Sequence, residues 1–94
     1  MSRDVYVEKL KAQIDKWNAR IDEWEADARN AQADTQLIYD RQLAELRRKR
    51  DHAQQKLDEM QSSSEQAWED LKEGVASAFA DLKAGIDEAA SRFK

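Results

Sequence analysis

The chain contains no cysteine and no proline, and only two of its 94 residues are glycine. Without cysteine it can form no disulfide, and it has no thiolate to bind a metal or to act as a nucleophile. Without proline, and with so little glycine, almost nothing in the chain interrupts a helix or favours a tight turn. The composition therefore predicts an all-α protein.

Long hydrophobic runs are also absent. The longest apolar run, interrupted by one small polar residue, covers residues 75–80, whereas a helix needs about 20 apolar residues to span a bilayer. The N-terminus is charged almost from the start, unlike a secretory signal. We therefore expect a cytoplasmic protein. The net charge of −4 argues against general attraction to nucleic acid or anionic lipid, although a local patch could behave differently.

Large apolar side chains recur near the N-terminus with spacings of four and three residues, which places them on one face of a helix. This N-terminal stripe consists of Leu10, Ile14, Trp17, Ile21 and Trp24. The pattern then takes steps of four through Thr35, Tyr39 and Leu43. We interpret these steps as a stutter, which locally unwinds a supercoil without ending the helix. The sequence thus predicts one long helix over about residues 4–61.

A serine-rich segment at residues 62–64 is the candidate turn. Ser62 and Glu65 have the spacing of a capping box, whose two side chains satisfy backbone amides at the start of a helix. Helical phase also persists across the segment, so a continuous rod remains the alternative. We expect a single domain over residues 1–94, with the long helix, a turn at about 62–64 and an amphipathic helix over about 65–93. Together they would form an elongated, coiled-coil-like helical hairpin.

The two predicted helices differ in length, and this difference predicts an oligomer. At 1.5 Å per residue the first helix would be roughly 85 Å long and the second about half that. The N-terminal stripe would then be left exposed, and an apolar patch of that size is normally buried against another subunit. We therefore expect the stripe to form the interface of a homodimer or higher oligomer. The overhang could also pair head to tail into a filament.

The C-terminal third repeats every eleven residues, with residues 68–78 followed directly by residues 79–89. Eleven residues make three helical turns, so the repeat keeps one apolar face along a nearly straight helix. This C-terminal arc consists of Trp68, Leu71, Val75, Phe79, Leu82, Ile86 and Phe93. It is expected to pack against the other helix. Alternatively it lies on a membrane surface, where lysines at the edge of the arc extend towards water.

Small residues line the other edge of the arc: Gly74, Ala78, Gly85 and Ala89. Each glycine costs a helix about 1 kcal/mol relative to alanine. The recurrence of glycine in both repeats indicates a close helix–helix approach that offsets this cost. The alternative is that glycine is simply carried along in a duplicated segment.

No residue pattern points to catalysis. His52 is the only histidine, and Lys49 occupies the position where the Glu-x-x-His motif of di-iron bundles requires an acid. The basic run at 47–50 points all around a helix axis, which favours a salt-bridged surface over a nucleic-acid site. We expect no enzymatic activity, no metal or catalytic site, no cofactor and no small-molecule substrate.

Three segments, Tyr6–Asn18, Arg50–Met60 and Ala67–Val75, resemble small bacterial proteins classed as coiled-coil or stress-response proteins. The resemblance implies a soluble bacterial helical protein with a stress association and no settled biochemical activity. In its period alone, the tail is similar to the repeats of exchangeable apolipoproteins and desiccation-associated proteins.

The first functional hypothesis is a self-associating coiled-coil protein that acts as a structural scaffold. The alternatives are reversible membrane-surface binding through the C-terminal helix and assembly as a filament subunit.

Overall fold

The computed structural model describes residues 2–93, which form three helices: α1 over Arg3–Arg29, α2 over Ala33–Gln61 and α3 over Ala67–Arg92. The predicted all-α class is confirmed, and the described residues contain no strand. The molecule is elongated, measuring 51 × 19 × 17 Å.

The prediction of one uninterrupted helix over residues 4–61 is wrong. The chain leaves the helix after Arg29, where the Asn30 N–H donates to the carbonyl oxygens of Ala26 and Asp27, both at 3.2 Å, and it becomes helical again at Ala33. The steps of four that resemble a stutter lie inside α2, beyond this corner. They belong to α2, which begins at Ala33 and is not a continuation of the α1 helix.

Burial explains why the corner forms without proline or glycine. A straight helix would leave the N-terminal stripe in water, whereas burying one large apolar side chain stabilises a protein by about 1.5–3 kcal/mol. A backbone hydrogen bond contributes a net stabilisation of only about 1 kcal/mol. The few helical bonds lost at the corner are outweighed by burial of four side chains of the stripe within the same chain.

The turn between α2 and α3 lies at the predicted serine segment, but the predicted capping box is absent. The Ser62 hydroxyl donates back to the carbonyl oxygen of Asp58 at 3.1 Å, so it closes the end of α2. The Ser64 hydroxyl instead accepts a bond of 3.1 Å from the Ala67 N–H. The helix begins at Ala67, two residues later than expected, and its N-cap residue, Gln66, makes no side-chain capping bond.

The helices form an up-down-up bundle. Both α1 and α3 pack along α2, and α1 meets α3 in parallel order, with Tyr6 beside Trp68 and Trp17 beside Phe79. The buried side chains form one core, made of Val7, Ile14, Trp17, Ile21, Trp24 and Ala28 from α1, Leu43, Leu46, Ala53, Leu57 and Met60 from α2, and Trp68, Val75, Ala78, Phe79, Leu82, Ile86 and Ala89 from α3.

Candidate functional site

The N-terminal stripe lies in the core of the single chain. Trp17 is 8% exposed and Trp24 is 3% exposed; Ile14 and Ile21 are also buried, and Leu10 is half-buried. The prediction that this stripe stays exposed is therefore wrong. It assumed a hairpin of two unequal helices, and the corner at residues 30–32 supplies a third helix that covers the stripe. Because these side chains are buried within one chain, they are not free to form the predicted oligomer interface.

The C-terminal arc packs inward in the same core. Five of its members, Trp68, Val75, Phe79, Leu82 and Ile86, are buried, while Leu71 and Phe93 are half-buried at its edges. Helices α1 and α2 therefore cover the C-terminal arc.

A column of aromatic pairs joins α3 to the other helices. Ring centroids lie 6.0 Å apart for Tyr6 and Trp68, 5.9 Å for Trp17 and Phe79, and 5.6 Å for Trp24 and Phe93. Tyr39 of α2 also packs on Phe93, at 4.2 Å. Each such pair contributes about 0.5–1.5 kcal/mol beyond the burial of its surface.

Polar contacts, in contrast, do not tie α3 to the rest of the bundle. Within residues 2–93, the side-chain hydrogen bonds and ion pairs of α3 stay inside α3, as for Lys83 with Asp87 at 2.8 Å and Arg92 with Glu88 at 3.0 Å. Among the described residues, the one polar contact between α3 and another helix is a cation–π contact, in which Lys72 Nζ lies 5.5 Å from the centre of the Tyr6 ring. Apolar and aromatic packing therefore holds α3 in place.

The other helices do have polar ties. Arg47 of α2 donates to Glu25 of α1 at 3.3 Å. Arg3, at the start of α1, donates to the carbonyl oxygen of Ser63 and lies 3.5 Å from the Glu65 carboxylate. These contacts fix α1 to α2 and to the serine turn.

The two glycines of the expected close-approach ridge have different surroundings. A Cβ atom added at Gly85 would lie 3.0 Å from Leu46 Cδ1 and 3.4 Å from Lys49 Cδ, whereas nothing lies within 4 Å of one added at Gly74. Ala78 and Ala89 are buried. The ridge therefore approaches a neighbouring helix at Gly85, while the expectation is wrong for Gly74, which faces solvent.

A groove of about 250 Å³ runs between α2 and α3 at this close approach. Leu46, Gly85 and Ala89 supply its apolar lining, and Arg41, Lys49 and Arg92 supply cations along it. The apolar and charge patterns of the sequence do not predict this groove. Its only local signal is Gly85, whose missing side chain lets Leu46 and Lys49 of α2 lie close to the backbone of α3.

The basic run of α2 is dispersed around the helix, as expected. Arg47 pairs with Glu25, Arg48 with Glu45, and Arg50 with Asp51, whereas Lys49 borders the groove. The hydrogen bond and charge of Arg48 lower the pKa of Glu45, and the same pairing raises the pKa of Arg48. Cations and acids in this region thus form local pairs and no continuous basic face.

Large apolar side chains remain exposed at both ends of the bundle. Leu37 and Ile38, near the start of α2, are 55% and 56% exposed, and Val5, near the start of α1, is 53% exposed. Because α1 and α2 are antiparallel, these positions lie at opposite ends of helices about 40 Å long. Leu37 and Ile38, here called the α2 patch, were not part of any predicted interface because they lie off the stripe.

Among residues 2–93, no three side chains that commonly bind metals converge into a candidate metal site. None of the helices in that range is both long and apolar enough to cross a bilayer. Comparisons of the chain with protein-family models, curated proteins and solved structures found no match.

Proposed function

We propose that this protein acts without catalysis, as a helical bundle that releases α3 and places its C-terminal arc on a lipid surface. The observation that carries the proposal is that α3 makes no hydrogen bond or ion pair to α1 or α2 within residues 2–93. Apolar and aromatic contacts attach α3 to the other helices, and a lipid interface can replace contacts of this kind.

The energetics of release follow from this attachment. Separating α3 exposes the C-terminal arc to water, which is unfavourable in proportion to the apolar area. An amphipathic helix recovers that free energy when its apolar face enters the boundary between headgroups and acyl chains. Between residues 2 and 93 no buried polar pair has to be broken, so the exchange involves little further cost. Lys72 and Lys83, beside the arc, can extend their ammonium groups towards the headgroups.

The charge of α3 selects the type of surface. Between residues 67 and 92 it carries six acidic and three basic residues. This excess opposes binding to an anionic membrane. We therefore propose a neutral or zwitterionic surface.

A disulfide lock tests the proposal. The natural chain has no cysteine, so a Lys49→Cys/Gly85→Cys variant can form only one intramolecular disulfide. The two positions face each other across α2 and α3, where Lys49 Cδ lies 3.4 Å from a Cβ atom built at residue 85, and loss of both free thiols on oxidation confirms that the bond has formed. We expect wild-type protein and the reduced variant to sediment with small phosphatidylcholine vesicles, and the oxidised variant to stay in the supernatant. Equal sedimentation of the oxidised and reduced variant, or no sedimentation of the wild type, would contradict the proposal.

Self-association as a structural scaffold or filament subunit is the second candidate, and the exposed α2 patch and Val5 favour it. Apolar groups at opposite ends of a rod allow a head-to-tail contact that does not close. The test is the mass in solution by light scattering. Head-to-tail assembly predicts that Leu37→Lys and Val5→Lys both lower the mass, whereas a symmetric contact through the α2 patch predicts that only Leu37→Lys does so. A monomer at all concentrations would exclude this candidate.

We also propose a bacterial, cytoplasmic setting with a stress association. The cysteine-free composition supports the compartment, and the resemblance to small bacterial stress-response proteins supports the rest.

A further inference from the structure

The α2–α3 groove combines an apolar lining with unpaired positive charge. Its lining is formed by Leu46, Gly85 and Ala89. Leu46 and Ala89 belong to the buried core, so the groove opens onto apolar side chains and not onto a polar surface. A Cβ atom at residue 85 would meet Leu46 Cδ1 at 3.0 Å, so a side chain at this position has to displace part of the apolar lining.

The cations of the groove outnumber its available anions. The two carboxylates beside it are both engaged, Glu45 with Arg48 and Glu88 with Arg92. Arg41 and Lys49 have no carboxylate within 4.0 Å among residues 2–93. In a protein with a net charge of −4, this is a local positive site beside an apolar surface.

Gln42 adds a polar group without a partner. It lines the groove, and its side-chain oxygen is buried with no hydrogen bond among the described residues. Rotation of the amide by 180° exchanges the oxygen for the NH₂ group. After this rotation the NH₂ group of Gln42 can donate a hydrogen bond to an anionic acceptor that enters the groove.

The geometry points to a binding site for a free fatty acid, a single-chain amphiphile that ends in a carboxylate. Its alkyl chain lies on Leu46, Gly85 and Ala89, and its carboxylate meets Arg41 and Lys49. Burial of methylene groups supplies affinity, at about 0.8 kcal/mol for each fully buried group, and the cations select an anionic head. This inference goes beyond the proposed function, because the ligand occupies the closed bundle and should stabilise it.

Calorimetric titration of the full-length chain with sodium dodecanoate, below its micelle concentration, tests the inference. We expect saturable binding with one site per chain. Arg41→Gln/Lys49→Gln should weaken it about tenfold or more. The matched control is Lys9→Gln/Lys16→Gln, which removes the same charge from exposed positions on α1 and should bind as the wild type does.

A second pair of variants tests the lining of the groove. Gly85→Leu fills the groove and should abolish binding, whereas Gly74→Leu, at the same place in the preceding repeat but facing solvent, should leave binding unchanged. If circular dichroism shows that Gly85→Leu is unfolded, the charge variants decide alone, since Arg41 is exposed and Lys49 only half-buried. Equal binding of neutral dodecanol, equal weakening by both charge variants, or unsaturable uptake would overturn the inference.

Discussion

Trp17 of α1 packs against Phe79 of α3 with ring centroids 5.9 Å apart and ring planes inclined by 42°. The pair joins the N-terminal stripe to the C-terminal arc, so each apolar face covers the other within one chain. A second subunit is not needed to bury either face.

Replacing Trp17 with alanine should therefore destabilise the folded chain. Truncation of a buried aromatic side chain costs about 3–5 kcal/mol, a large part of the 5–15 kcal/mol typical of small domains. Urea unfolding followed by circular dichroism measures the loss. A double-mutant cycle with Phe79→Ala should give a coupling of about 0.5–1.5 kcal/mol. Unchanged stability combined with a lower mass in solution would instead place Trp17 at a subunit interface.

The two glycines of the repeat should respond differently to alanine. At Gly74 the added methyl group meets open space, so Gly74→Ala should stabilise α3 by about 1 kcal/mol through helix propensity. At Gly85 the same gain is opposed by the 3.0 Å approach to Leu46 Cδ1, and the larger Gly85→Leu should lower stability by about 1–3 kcal/mol. Thermal melting compares the two sites. Equal increases in melting temperature for alanine at both sites would show that α2 does not approach Gly85.

Ser64 should matter more than Ser62 for the start of α3. Its hydroxyl accepts from the N–H of Ala67, the first residue of α3, and loss of a side-chain bond to a backbone N–H at a helix start typically costs about 1 kcal/mol. Ser62→Ala removes only a hydroxyl that donates back into α2, so it serves as the matched control. Hydrogen exchange in the first turn of α3 should accelerate in Ser64→Ala alone. Acceleration in Ser62→Ala instead would restore the capping box expected from the sequence.

The Glu45–Arg48 pair predicts a small dependence of stability on pH. Because Arg48 lowers the pKa of Glu45 in the folded chain, the pair stabilises the fold above the ordinary pKa of glutamate. This stabilisation is lost as the pH falls through the lowered value. Titration of the Glu45 carboxyl carbon by NMR should show the pKa rising in Arg48→Ala. The pair is exposed, so salt should weaken the effect. A pKa that does not move would mean that the pair does not persist in solution.

Local chemistry in the sequence was sufficient for several features of the fold. The lack of proline and the scarcity of glycine determined the helical class. The three serines, whose hydroxyls compete for backbone groups, marked the turn after Gln61. Spacings of three and four residues placed Ile14, Trp17, Ile21 and Trp24 on one apolar face of a helix, because side-chain direction follows from helix geometry alone.

The tertiary structure determined which helices pack against the N-terminal stripe and where the chain first turns. No residue at positions 30–32 prevents a helix from continuing, so the corner depends on long-range burial of the N-terminal stripe, which no local pattern records. Long-range packing also explains why Gly74 and Gly85 have different surroundings. The repeat gives both the same place on α3, but only Gly85 lies against Leu46 and Lys49 of α2. A period in the sequence determines which side of a helix a residue occupies, whereas the neighbouring helix determines whether that side is open, closed or part of a groove.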